Sequence, residues 1–311
     1  MNIPWIESPF YEEEYQKRNL NDEQKRIATE YHENGFVVLR NFFNEDTINN
    51  VVLDMNEKGY NQSYKMKEQR DAVRIQDFWK HSPSVKQLAT DPKIMDILSF
   101  LYGRKAVPFQ TLNFRTGSQQ RAHSDTIHFS SLPARFMCGV WVALEDINEN
   151  NGPVFYYPGS QRLPEYDFSH FKNTSEDTDY KDYIEYEDFI EKIMSSQNIE
   201  KKPFHANKGD VLIWCSNIIH GGSKLLDEKS TRYSQVTHYF FEDCIYYTPM
   251  LSNMVTRELY LRKDLEDIAT GEKVRQSFNG NPVNFVKVAK NKYLLSKKIK
   301  KVGGLFSIFR K

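Results

Sequence analysis

Three cysteines in 311 residues, Cys138, Cys215 and Cys244, are widely spaced and odd in number. They are too few for a disulfide scaffold or a cysteine-rich zinc finger, and they suit a reducing, cytoplasmic setting. Long apolar runs are also missing, since no stretch approaches the roughly 18 residues of a membrane span. Neither charge is in excess: 42 Lys and Arg stand against 42 Asp and Glu. That argues against a chain-wide nucleic-acid footprint. The opening residues, Met1 to Tyr15, are acidic and aromatic, unlike a secretory signal. No repeat of fixed period and no low-complexity tract is present.

What is present is a core. Aliphatic and aromatic residues with Cys make up 39% of the chain, too much for a disordered one. The 18 Tyr and 21 Phe favour strands and lined pockets. Charge is unevenly placed. Residues 287–311 hold nine Lys or Arg and no acid, so the rest has 33 bases against 42 acids. Residues 165–200 hold eleven acids and three lysines, with Tyr180, Tyr183 and Tyr186 among them. Both segments read as additions to a central body, the first as a basic tail and the second as a lid or a solvated helical excursion.

The first third reads as helical. Asn21 caps a helix from about Asp22 that Gly35 ends, and the apolar run Phe36–Leu39 follows as a buried strand. Asn44 and Asp91-Pro92 open two further helices, the second stopped by Gly103. After Pro108 the texture becomes β: Phe109–Thr116, Phe136–Leu144, Val154–Tyr157, Asp210–Trp214 and Arg232–Phe241 are separated by Gly, Pro and Asn. Many short strands with turn punctuation predict a sandwich or barrel, not alternating βαβ units.

The stretch Arg121-Ala122-His123-Ser124-Asp125 carries the chemistry. In a strand, residues two apart share a face, so His123 and Asp125 aim an imidazole and a carboxylate at one point. His220, six residues past Trp214, is followed by Gly221-Gly222, which allow a tight backbone path beside a site. Two His and one carboxylate leave open positions, the arrangement expected of non-haem Fe(II) oxygenases. Arg232 lies twelve positions further on, with Ser234 on the same strand face. An arginine aimed into an aromatic barrel needs an anion, and a bound dicarboxylate would supply one through a bidentate fork.

This order, His123-x-Asp125 then His220 then Arg232, resembles the phytanoyl-CoA dioxygenase-like (PhyH) family. The likeness extends to Trp141–Asp146 and to Asn151–Ser160, with Gln161 where the family usually has His. It covers about residues 35–241. The resemblance implies a mostly β protein with flanking α: a double-stranded β-helix (jelly-roll, cupin-like) with N-terminal helices. It implies Fe(II), 2-oxoglutarate as co-substrate and O2. It places His123, Asp125 and His220 as metal ligands and Arg232 on the distal carboxylate of 2-oxoglutarate, with Trp141, Ser234 and Gln110 beside that co-substrate. Halogenating relatives lack the carboxylate ligand; Asp125 keeps it, which implies hydroxylation.

The expectation is therefore a dioxygenase domain over residues 1–245, with the insert at about 165–200, and an extension over 246–311. The substrate is a small metabolite or a sugar or lipid precursor. A catalytically silent, metal-holding scaffold is the alternative, opposed by the intact set of four residues. A zinc hydrolase would have no use for Arg232. His238 reads as a satisfied core histidine and His128 as a rim residue, while Arg121, Gln119 and Gln120 read as contacts for a polar substrate group or as ordinary loop polarity. The basic tail could lie on an anionic membrane, but docking on the acidic body is the favoured reading. The oligomeric state is left open.

Overall fold

The computed structural model describes residues 2–60, 74–172 and 180–296. Its first eleven strands are β1 (Phe36–Leu39), β2 (Arg74–Gln76), β3 (Ala106–Phe114), β4 (Ser130–Leu132), β5 (Met137–Ala143), β6 (Val154–Tyr156), β7 (Lys202–Phe204), β8 (Val211–Cys215), β9 (His220–Gly222), β10 (Ser234–Phe241) and β11 (Ile245–Tyr247). The larger sheet has the order β1-β8-β5-β10-β3-β2, with every neighbouring pair antiparallel. The smaller sheet, β7-β6-β9, is extended by a bridge between His220 and His123. β4 pairs with β11. Two facing antiparallel layers with crossing connections make the expected double-stranded β-helix.

The helices α1 (Tyr11–Gln16), α2 (Asp22–Asn34), α3 (Glu45–Asp54), α4 (Pro83–Ala89) and α5 (Pro92–Tyr102) precede most of the large sheet. Their signals are local. The Asn21 side chain accepts from Gln24 N, Gln24 returns the bond, and Gly35 ends α2 at φ 79°. Asp91 caps α5 through Ile94 N. These helices cover the outside of the large sheet: Tyr102 stacks on Phe241 at 3.8 Å between ring centroids, and Tyr239 donates to Ala89 O. Among the described residues, no helix is long and apolar enough to cross a membrane.

Strand ends move by one to three residues from the sequence reading. Asp210, expected inside a strand, is instead a buried turn residue. Its carboxylate takes Asn41 N, Asn207 N and the Arg40 guanidinium, and so closes the turn before β8. The acidic insert contains a sixth helix, α6 (Tyr183–Gln197), that is not a solvated excursion. Tyr186, Ile190 and Met194 are buried in a second apolar cluster with Ala122, Ile127 and Ile219. Glu185, Asp188, Glu191 and Lys192 face out, as a 3.6-residue period requires, while Glu187 is buried 3.8 Å from Arg121.

The chain after residue 245 is woven into the body. Ile245–Tyr247 completes β11, Ile268 N donates to Pro108 O, and a three-stranded sheet joins Leu259–Tyr260, Lys292–Ser296 and Asn284–Ala289. The rest of the basic tail, residues 297–311, lies outside the described residues.

Candidate active site

His123 and His220 face each other across two sheet edges. Each backbone N–H donates to the other's carbonyl at 2.9 Å. Gly221 and Gly222 have no room for a side chain: a Cβ would lie 2.6 Å from Gln120 O and 2.7 Å from Ser118 Oγ respectively. The double glycine after His220 therefore lets the 118–121 segment close on β9.

Asp125 arrives differently from the sequence reading. Extended backbone stops at Ser124, and Asp125 opens a short 3-10 turn, Asp125–Ile127. Ser124 Oγ accepts from Thr126 N and donates to Ser216 O, which starts that turn. The carboxylate thus reaches the histidines through a turn and not through strand alternation.

The ligand-capable atoms of His123, Asp125 and His220 lie within 4.8 Å of one another, and all three residues are buried. Asp125 Oδ1 is 4.0 Å from His123 Nε2 and 3.8 Å from His220 Nε2. The outer nitrogens are committed. His123 Nδ1 donates to Arg121 O at 2.9 Å, and His220 Nδ1 donates to Ile218 O at 3.1 Å. A carbonyl can only accept, so in each neutral imidazole the lone pair lies on Nε2, aimed inward. Burial, with His220 adding to it, pushes the His123 imidazole down to about 3, so it stays neutral. Asp125 Oδ2 accepts from Trp214 Nε1 at 2.8 Å, leaving Oδ1 towards the histidines. Burial alone would raise the Asp125 carboxyl; the surrounding imidazoles of His220, His238 and His123 and the Trp214 N–H outweigh it and hold the group below its usual range. Gly139 pairs with Trp214 across β5 and β8, and a Cβ there would stand 2.4 Å from the indole. A bare glycine is what seats that hydrogen-bond donor.

The triad opens into a cavity of about 430 Å³. Arg232 lines it and is buried, just before β10. Its Nη1 donates to Ser234 Oγ at 2.9 Å, its guanidinium carbon lies 5.5 and 5.7 Å from the Phe114 and Trp141 ring centroids, and its Nε is buried without a partner. Burial lowers it to about 10, with Glu145 opposing; it remains a cation. Trp141 and Gln110 line the same cavity. Asn113 does not; it donates to Gln235 Oε1 on the other face of β3, as its opposite parity requires.

Two expectations change, those for His238 and Arg121. His238 is satisfied through its Nδ1 contact with Gln110 Oε1 at 3.1 Å, but it is not simply core: it lines the cavity with Nε2 4.0 Å from Asp125 Oδ2. Its shared face with Arg232 was the available signal. Arg121 turns away to α6, bonding Asp188 at 2.7 Å and Glu191 at 2.6 Å, so it serves the insert and not a substrate. Gln161 sits outside the cavity, where its amide donates to Glu33 O at 3.1 Å. Sequence reasoning missed Arg262 and Thr248, which line the cavity from beyond residue 245, and Tyr180 at the insert. No spacing or motif marks them.

With this geometry, residues 31–232 match the family described as Phytanoyl-CoA dioxygenase (PhyH), and the chain belongs to that family. It is an Fe(II)- and 2-oxoglutarate-dependent oxygenase that uses O2. Peroxisomal phytanoyl-CoA dioxygenase of Rattus norvegicus is 23% identical over 260 residues, which are 73% of this chain and 70% of that protein. Among solved structures, the non-heme alpha ketoglutarate dependent carbocyclase SnoK from nogalamycin biosynthesis is 17% identical with a TM-score of 0.56, covering 77% of this chain and 91% of that one. The epimerase SnoN, in complex with Fe3+, alpha ketoglutarate and nogalamycin RO, is 17% identical with a TM-score of 0.55, covering 88% of this chain and 98% of its own. These two share the fold.

Proposed function

We propose that the chain hydroxylates a small molecule at a site where His123, Asp125 and His220 hold Fe(II) and Arg232 holds 2-oxoglutarate. The observation that carries this reading is donor chemistry: two imidazole lone pairs and one carboxylate oxygen converge beside an arginine whose Nε has no partner. Two imidazole nitrogens and one carboxylate oxygen suit iron, and positions remain open for exchangeable ligands.

Bound iron with 2-oxoglutarate and O2 supplies the oxidant. This chain's residues do the positioning. Arg121 O and Ile218 O fix the imidazole angles, and Trp214 holds one oxygen of Asp125 so that the other is free. Arg232 and Ser234 offer a cation and a hydroxyl to a carboxylate, between the Phe114 and Trp141 rings that exclude water. Gln110 orients His238 at the cavity wall. Retention of Asp125 supports hydroxylation over halogenation, and a cytoplasmic, small-molecule enzyme remains the working picture.

The test is succinate release from 2-oxoglutarate across a metabolite panel with Fe(II) and ascorbate. One or more panel members should raise succinate release and gain one oxygen atom by mass. A protein that releases no succinate with or without any panel member would overturn the reading.

A further inference from the structure

Arg262 sits in the same cavity as the triad, on the segment that follows the β-helix. Its surroundings repeat those of Arg232. Nη1 donates to a hydroxyl, Thr248 Oγ1, at 3.2 Å. The guanidinium carbon lies 4.8 Å from the Phe129 ring centroid and 5.4 Å from that of Phe109. Its Nε is buried with no partner. Among the described residues it makes no ion pair; Tyr180, Asp77 and Tyr260 act on it electrostatically, each less than burial does. Burial is the main influence, lowering it to about 10. A desolvated cation without a counter-ion is unfavourable and is normally paired. The Phe129 ring is also 4.8 Å from the His238 ring, so only one aromatic side chain separates Arg262 from the histidine beside Asp125.

We infer that Arg262 anchors a carboxylate on the primary substrate, which places this enzyme's substrates among small carboxylic acids. With Nη1 on Thr248, the in-plane Nε and Nη2 edge is left for a planar, bidentate acceptor. One buried cation balances one negative charge, which suits a carboxylate better than a phosphate dianion; Arg74, also lining the cavity, is exposed. Phe129 and Leu251 in the lining accept the apolar part of such a molecule. The inference rests on the oxygenase reading, because it requires 2-oxoglutarate to occupy Arg232 first.

The experiment is calorimetric titration of the full chain, loaded with Fe(II) and saturating 2-oxoglutarate without oxygen. The probes are straight-chain carboxylates of about four to ten carbons, the matching primary amides and the matching alkyl phosphates. At least one carboxylate should bind roughly tenfold to hundredfold more tightly than its amide, the range for a charged hydrogen bond. Arg262→Gln should remove that difference while leaving the 2-oxoglutarate KM unchanged. Arg262→Lys, which keeps the charge without the fork, should retain part of it and serves if the Gln variant does not fold. Carboxylates that bind no better than amides, or a preference that survives in both variants, would sink the anchor. Tighter binding of the phosphates would replace the substrate class. Succinate release with and without the metabolite panel, measured in air on the same preparation, is the separate check. If it is absent throughout, the oxygenase reading fails; if it is present and the carboxylates are not preferred, only the anchor fails.

Discussion

Arg232 and Arg262 line one cavity and are built alike, yet the backbones that carry them differ. Each gives one Nη to a hydroxyl, each lies over two aromatic rings, and each keeps a buried Nε without a partner. Arg232 precedes β10, a strand hydrogen-bonded on both sides to β3 and β5, so its position is fixed by sheet register. Arg262 follows a two-residue strand in the C-terminal segment, tied mainly by Arg262 N to Tyr246 O and by Gln276 to its carbonyl. On the roles proposed above, the sheet-anchored arginine takes the shared co-substrate and the loop-borne one takes the substrate. A fixed scaffold with variable loops places specificity where backbone change is least costly.

The largest expected effect is at the triad. His123→Ala or Asp125→Ala should abolish iron-dependent turnover, read by succinate release and Fe(II) binding; normal turnover in both would remove the proposed metal site. Next is Arg232→Ala. Removing one partner of a desolvated charged pair costs about 2–5 kcal/mol, so the 2-oxoglutarate KM should rise tenfold or more with little change in iron affinity. An unchanged KM would erase the contrast with Arg262. Trp214→Phe keeps the ring and deletes the hydrogen bond to Asp125; such supporting contacts typically contribute about 10–100-fold in metal affinity. Gly139→Ala should reproduce that loss by displacing the indole, and its overpacking should destabilise the fold by about 1–3 kcal/mol. The smallest effect belongs to Arg121→Ala. These partly exposed ion pairs contribute about 0–1 kcal/mol each, so the melting temperature should barely move while limited proteolysis near α6 accelerates.

Much of this arrangement was legible in the amino-acid order. Helix caps at Asn21, Asn44 and Asp91 act within one turn, so the residues themselves state where those helices begin. The strands alternate or run apolar, and the set His123, Asp125, His220 and Arg232 is brought together as expected. The route of Asp125 was not legible, because a turn held by Ser124 and Ser216 depends on a contact 92 residues away in sequence. Nor was Arg262, since nothing local distinguishes a loop arginine that enters a cavity from one in solvent. His238 was misjudged for a related reason: parity gave its face, but not that the face opens beside Asp125.

Arg121 has one further consequence. Its carbonyl oxygen accepts the hydrogen bond of His123 Nδ1–H, while its guanidinium grips Asp188 and Glu191 on α6. One residue thus acts as a linkage with a bearing at each end. Tyr183, on the same helix, sits 4.9 Å from the His128 ring at the cavity wall and bonds Gln120. The insert that walls the cavity and the orientation of the His123 ring thus share Arg121 as a common support, one through its side chain and the other through its carbonyl.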